Sequence, residues 1–159
     1  MNRRIAAGCA ILALALNILL EHWLMGAPSG AVILPGLADF HPAWNRGVSF
    51  SLLTQDNDTG RRLLMALLAA VSLGVAALAW RAATRLSAAG YGLVLGGALG
   101  NLLDRALYGA VFDFLFLHLG SLALFVCNFA DIAISAGVVL LLADSLAARP
   151  RSSEDPSRR

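Results

Sequence analysis

The 159 residues are 58% hydrophobic and only 14% charged, with a mean hydropathy of +0.73, a balance that excludes both a soluble globular domain and a disordered chain. All twelve basic residues are Arg. No cluster of them is interleaved with aromatics or long enough to track phosphates, which excludes a nucleic-acid partner.

A bilayer core needs roughly 20 apolar residues per helix, and four stretches supply them, about 5–25, 63–80, 86–107 and 121–143. The first opens "MNRR" and runs apolar without a small-residue cleavage site, which predicts an uncleaved helix in place of a signal peptide. "AAGC" at 6–9 is no lipoprotein acceptor, because the apolar run follows Cys9 instead of preceding it. Cys9 and Cys127 match no metal-ligand spacing and are expected as packed thiols. Residues 26–61 contain Pro28, Pro35 and Pro42 together with the short runs "AVIL" and "VSFSLL", a pattern that predicts a small strand-containing platform. A short turn over 81–86 joins the second and third stretches. "GGALG" at 96–100 sets Gly96 and Gly100 four apart, a spacing that lets membrane helices approach closely. The reading is one domain over 1–148 and a disordered polar tail over 149–159.

Arg3 and Arg4, Arg81 and Arg85, and the four Arg of the tail fall on one side of a four-span chain, against Arg46, Arg61, Arg62 and Arg105 on the other. Eight against four predicts that both termini are cytoplasmic and the platform is outside.

Ionisable residues inside membrane spans are costly and mark functional or paired positions. Here they gather toward the outer end. Asn128 and Asp131 share a face of the fourth stretch. Asn101, Asp104 and Arg105 close the third, and Asp113 follows Gly109, which can stop the helix and turn the chain back. Asp113 and Asp131 can therefore meet beside Asn128. Two carboxyls in a poorly solvated pocket hold one proton between them, so one can activate water while the other polarises a carbonyl. The residue types alone equally allow Asp104 with Arg105, and Asp131 with Asn128, to serve as polar glue between helices. His22, His41 and His118 are isolated, so no metal site is expected. Ser135, one turn beyond Asp131, is read as a packing residue and not a nucleophile.

"GGALGNLLDRALYGAVFDFL" (96–115) followed by "CNFADIAISAG" (127–137) closely resembles the paired motifs of bacterial lipoprotein signal peptidase, signal peptidase II, and "NRGVSF" (45–50) resembles that family's Asn-x-Gly-x-x-Phe motif. The resemblance covers about 45–140 and implies a four-span aspartyl endopeptidase of the bacterial inner membrane. Such an enzyme removes signal peptides from prolipoproteins by cutting before a diacylglyceryl-modified Cys, with no cofactor. It implies that Asp113 and Asp131 are the catalytic pair. It further implies that Asn45, Gly47, Gly100, Asn101, Arg105 and Asn128 hold the substrate or shape the pocket, with Asp104 as a structural polar residue. Trp44 and Phe50 are expected as interfacial anchors. Substrate prolipoproteins and membrane lipid are the implied partners of a monomer.

The chain departs from the family in its first span, where Asn17 and Glu21 stand at positions that typically carry Asp and Lys, and at Val48 and Ser49 of the outer motif. Those changes keep two alternatives open, an altered-specificity relative and one that binds lipopeptides without cutting them. A small proton-coupled transporter using Glu21, Asp104 and Asp131 is a third. The expectation is an all-α membrane protein with four transmembrane helices and a small β-containing outer platform.

Overall fold

A computed structural model of the chain describes residues 1–47 and 58–147. It contains four long helices, α1 (Asn2–Leu24), α2 (Asp58–Trp80), α3 (Arg85–Tyr108) and α4 (Phe129–Ala147). All four are long and apolar enough to cross a membrane. Leu63, Leu67, Val71, Leu73 and Leu78 of α2 lie exposed. In water such a face would drive association, whereas in a bilayer it meets its own solvent.

The interior is built from small residues. Along α1, Ala6, Ala10, Ala13, Asn17 and Glu21 form one buried stripe at helical spacing, and it faces the glycines of α3. A Cβ on Gly92 would stand 2.5 Å from the Ala6 carbonyl oxygen, and one on Gly96 would stand 2.5 Å from that of Ala10. On the other side of α3, a Cβ on Gly97 would meet the Ala130 carbonyl oxygen at 2.5 Å. Helix α3 is thus the central post, touching α1, α2 and α4, and its glycines set the close approach that van der Waals packing in lipid requires. At the end bearing the N-terminus, Thr84 and Ser87 form a capping box that starts α3. The Thr84 hydroxyl also donates to Asp144 Oδ1 of α4 (2.7 Å).

The opposite end carries a four-stranded antiparallel meander in the order β1 (Val32–Leu34), β2 (Ala38–Asn45), β3 (Val111–Leu119), β4 (Leu122–Cys127). "AVIL" forms a strand as expected, while "VSFSLL", Val48, Ser49, Phe50 and the tail lie outside the described residues. One expectation is corrected. Residues 121–143 do not make a single helix, because Leu122–Cys127 is a strand paired with β3 in the register Leu115 to Cys127 through Leu119 to Leu122. Half of the sheet therefore comes from 111–127 and not from the 26–61 platform. A continuous apolar run reads alike as buried strand or helix, and pairing with β3 decides for strand. Gly120 (φ 56°) supplies the positive φ of the tight turn between them.

Candidate active site

Three elements deliver the polar residues to the sheet end of the bundle. Helix α3 stops at Gly109, which adopts φ 76° and whose N–H returns to the Arg105 carbonyl. The chain then enters β3 two residues later and places Asp113 there. Helix α4 starts where Asn128 caps it: Asn128 Oδ1 accepts the Asp131 N–H (3.0 Å) and Asp131 Oδ2 accepts the Asn128 N–H (3.3 Å). This is a capping box with Asn and Asp in place of the usual Ser/Thr and Glu. The same reciprocal bonds that begin the helix therefore fix the Asp131 carboxyl. Asn45, at the end of β2, pairs with Val111, two residues before Asp113 in β3.

The two carboxyls have separate supports. Asn45 Nδ2 donates to Asp113 Oδ2 (3.0 Å), and Asn45 Oδ1 accepts the Gly47 N–H (3.0 Å). Asn101 Nδ2 donates to Asp131 Oδ1 (3.0 Å), while Asn101 Oδ1 accepts from Asn128 Nδ2 (2.9 Å). The amide orientations of Asn45, Asn101 and Asn128 are thereby set by their partners. Arg105 donates through Nη1 to the Asn101 carbonyl (2.9 Å) and through Nη2 to the Gly47 carbonyl, tying α3 to the segment after β2. Asp104 turns away from this group and accepts the Phe112 N–H on Oδ2 (3.0 Å).

Asp113 and Asp131 both line a cavity of about 420 Å³. Its other polar walls are Asn45, Asn101, Arg105, Ser72 and Ser135, and the remainder is apolar, from Leu68 and Val71 of α2 to Ile134 of α4. Asp113 is 3% exposed. Burial pushes its carboxyl up to about 7, and the neighbouring Asp131 acts in the same direction, while the Asn45 bond and the Arg105 charge oppose them. Asp113 Oδ1 is buried with no hydrogen-bond partner among the described residues, leaving an acceptor open at the cavity. Burial likewise pushes the Cys127 thiol up to about 11, so it is a neutral wall of the cavity.

Of the residues singled out in the sequence, Asn45, Asn101, Arg105, Asp113 and Asp131 are brought together at the cavity. Asn128 and Gly47 stand behind them as hydrogen-bond partners. Gly100 lies against Asn17, whose Nδ2 a Cβ would meet at 2.9 Å, and thus faces α1. Trp44 packs on Tyr108 and Phe112 with half its surface exposed. Ser72 joins the cavity wall without having been marked by its sequence context, since it sits in an apolar run, and Cys127 and Ser135, both read as packing residues, line it too.

Residues 8–147 match the family model for signal peptidase (SPase) II. The chain belongs to that family. It is a membrane peptidase of the aspartic-type family. The chain is 51% identical over 119 residues to the lipoprotein signal peptidase of Methylorubrum extorquens (strain PA1), covering 75% of this chain and 70% of that one. It is 38% identical over 149 residues to the lipoprotein signal peptidase of Rhodopseudomonas palustris (strain TIE-1), covering 89% and 91%. A solved bacterial membrane enzyme shares the fold with a TM-score of 0.78 at 19% identity, over 94% of this chain and 92% of that chain.

Proposed function

We propose that this signal peptidase II removes the signal peptide from diacylglyceryl-modified prolipoproteins, cutting on the N-terminal side of the lipidated Cys with Asp113 and Asp131 as the catalytic pair. The observation that carries the reading is the convergence of two carboxyls from different elements on one largely apolar cavity, each held by its own Asn. A pair so placed retains one proton at neutral and weakly acidic pH. One aspartate takes a proton from water as its oxygen attacks the scissile carbonyl carbon, and the other gives its proton to the carbonyl oxygen. The aspartate that took the water proton then gives it to the Cys nitrogen as the C–N bond breaks, and a hydroxyl of the tetrahedral intermediate returns its proton to the other aspartate, so the Cys leaves as the free amine and the signal peptide leaves with a new carboxyl terminus. Asn45, Asn101 and Arg105 orient the aspartates and the substrate backbone from the same wall. Gly47 and Asn128 hold them in turn, and Gly100 gives α1 room to approach.

The acyl chains of such a substrate stay in lipid while its cleavage site lies at the bilayer edge. The clustering of polar residues at the sheet end of the four helices favours that depth. The Arg distribution favours both termini in the cytoplasm and the sheet on the outer face of the inner membrane. The protein acts as a monomer without a cofactor.

The test is cleavage of a diacylglyceryl prolipoprotein by the purified full-length protein in detergent, read as a gel shift with the product sequenced by mass spectrometry. The expected product begins at the lipidated Cys. Cleavage at another bond, or substrate binding without cleavage, refutes the reading in favour of an altered-specificity or binding relative.

A further inference from the structure

The end of the bundle opposite the sheet carries a basic recess that cleavage does not use. It forms where α1 begins and α2 ends, and Met1, Asn2, Arg3, Trp80, Arg81 and Ala82 enclose about 570 Å³ there. Asn2 Nδ2 donates to the Ala82 and Ala83 carbonyls (3.1 and 2.8 Å), which ties the start of α1 to the turn before α3. Ala6, Ala79 and Ala88 pack together from the three helices, with Ala82 against them. The recess therefore stands on a packed floor.

Arg3 is held in place within it. Its Nε donates to the Trp80 carbonyl (3.2 Å), satisfying the last turn of α2, and its guanidinium carbon lies 4.0 Å from the centre of the Trp80 ring. Among the described residues both Nη groups of Arg3 are left without a partner, and so is the whole guanidinium of Arg81. Arg4 and Arg85 lie exposed at the same end, where Arg85 Nη2 meets only the Met1 sulfur (3.8 Å). The acid at this end among the described residues is Asp144, and it is engaged by the Thr84 hydroxyl (2.7 Å). Guanidiniums in such excess attract an anion, and their planar forks match a pair of phosphate oxygens. Orienting a chain in a bilayer needs only a count of charges. It does not need an arginine laid over a tryptophan in a recess.

The recess lies at the ends of helices long and apolar enough to cross a membrane, which is the depth of lipid headgroups. Leu73 stands two turns before Trp80 on the same face of α2, and both are exposed (72% and 62%). An apolar track thus leads from the recess into the hydrocarbon.

We propose that this recess binds the headgroup of an anionic phospholipid, its phosphate on Arg3 and Arg81 and an acyl chain along the Leu73 face of α2. A free phosphate shares the headgroup's charge but has nothing to lay on that face. The site is independent of the peptidase reading and holds whether or not the chain cuts a substrate.

The experiment is thermal unfolding of the full-length protein in neutral detergent micelles with increasing mole fractions of phosphatidylglycerol or phosphatidylcholine, or with inorganic phosphate at matched ionic strength. A ligand of the folded state raises the melting temperature with its concentration, which yields an apparent affinity. Phosphatidylglycerol is expected to bind roughly tenfold or more tighter than phosphatidylcholine. Arg81→Gln removes no side-chain contact among the described residues, and is expected to weaken phosphatidylglycerol binding about fivefold. Arg3→Gln is expected to weaken it at least as much and to lower the melting temperature without lipid, because the end of α2 loses its donor. Arg62→Gln, the same charge change on an exposed arginine at the other end of α2, is expected to leave binding unchanged. Equal stabilisation by the two lipids overturns the proposal, and so do equal losses in Arg62→Gln and Arg81→Gln, which mean bulk charge alone. Inorganic phosphate that stabilises as much as phosphatidylglycerol overturns the lipid assignment in favour of a free-anion site.

Discussion

Gly97 separates the packing of the bundle from the chemistry of the pair. A Cβ added there would lie 2.5 Å from the Ala130 carbonyl oxygen and 2.8 Å from Ile134 Cγ1. Ala130 directly precedes Asp131. Backbone cannot swing away as a side-chain tip can, so restoring an ordinary contact of about 3.4 Å requires α4 to move by roughly 0.9 Å. Overpacking of this kind costs about 1–3 kcal/mol of stability. A displacement near 1 Å at a catalytic group costs on the order of a hundredfold in rate. Gly97→Ala is therefore expected to lose between about tenfold and about a hundredfold in kcat while remaining monodisperse in detergent. Gly74→Ala on α2, where a Cβ meets nothing within 4 Å, is the control and is expected to match wild type. The assay is the prolipoprotein gel shift under saturating substrate, alongside thermal unfolding of both variants. Gly97→Ala cutting at the wild-type rate refutes the claim that the α3–α4 contact positions Asp131.

With the Asp113 carboxyl raised to about 7, kcat is expected to fall as pH rises above that value, measured as kcat against pH, because a catalytic pair would then lose its shared proton. Asn45→Ala removes a bond that favours the ionised form, so its alkaline limb is expected at higher pH with a lower maximum, measured as kcat against pH. For stability the sign is opposite to that of an ordinary paired aspartate. The folded state binds the Asp113 proton more tightly than the unfolded chain, whose carboxyl titrates near 3.8. The contribution is thus full below that pH and is lost as pH rises toward 7. Thermal unfolding in detergent is expected to show this decline in wild type and to lack it in Asp113→Asn. Asn128→Ala removes both a cap, worth about 1 kcal/mol, and the bond to Asn101, and is expected to lower both melting temperature and kcat. Asn128→Ser restores the cap alone, so it is expected to recover melting temperature without recovering kcat.

The four helices and the polar cluster at one end of them were legible because lipid imposes length and apolarity on each helix and makes polar residues within an apolar stretch conspicuous. Asp113 and Asp131 could be paired on that ground, with Gly109 marking the turn between them. The start of α4 was not read correctly, although its signal was present: Asn128 and Asp131 stand three apart at the head of an apolar run, which is capping-box spacing. Leu122–Cys127 hid it, since apolar residues on both faces suit a strand at the bundle end as well as a helix. Glu21 was visible only as a departure in charge, because its burial with Asn17 depends on the α1–α3 approach through Gly96 and Gly100, which joins segments some 80 residues apart. Ser72 gave no signal, as a small residue in an apolar span is ordinary packing until a cavity opens beside it, and Cys127, read as a packed thiol, is one that packs at the cavity wall.

The central claim, that Asp113 and Asp131 act as one unit, is tested most directly by kcat on a diacylglyceryl prolipoprotein for Asp113→Asn, Asp131→Asn and the double variant. Groups that share a proton in one step fail together. Each single variant is expected to lose on the order of a thousandfold or more in kcat, and the double variant no more than either alone. Wild-type kcat in one single variant, or losses that multiply in the double, would contradict it.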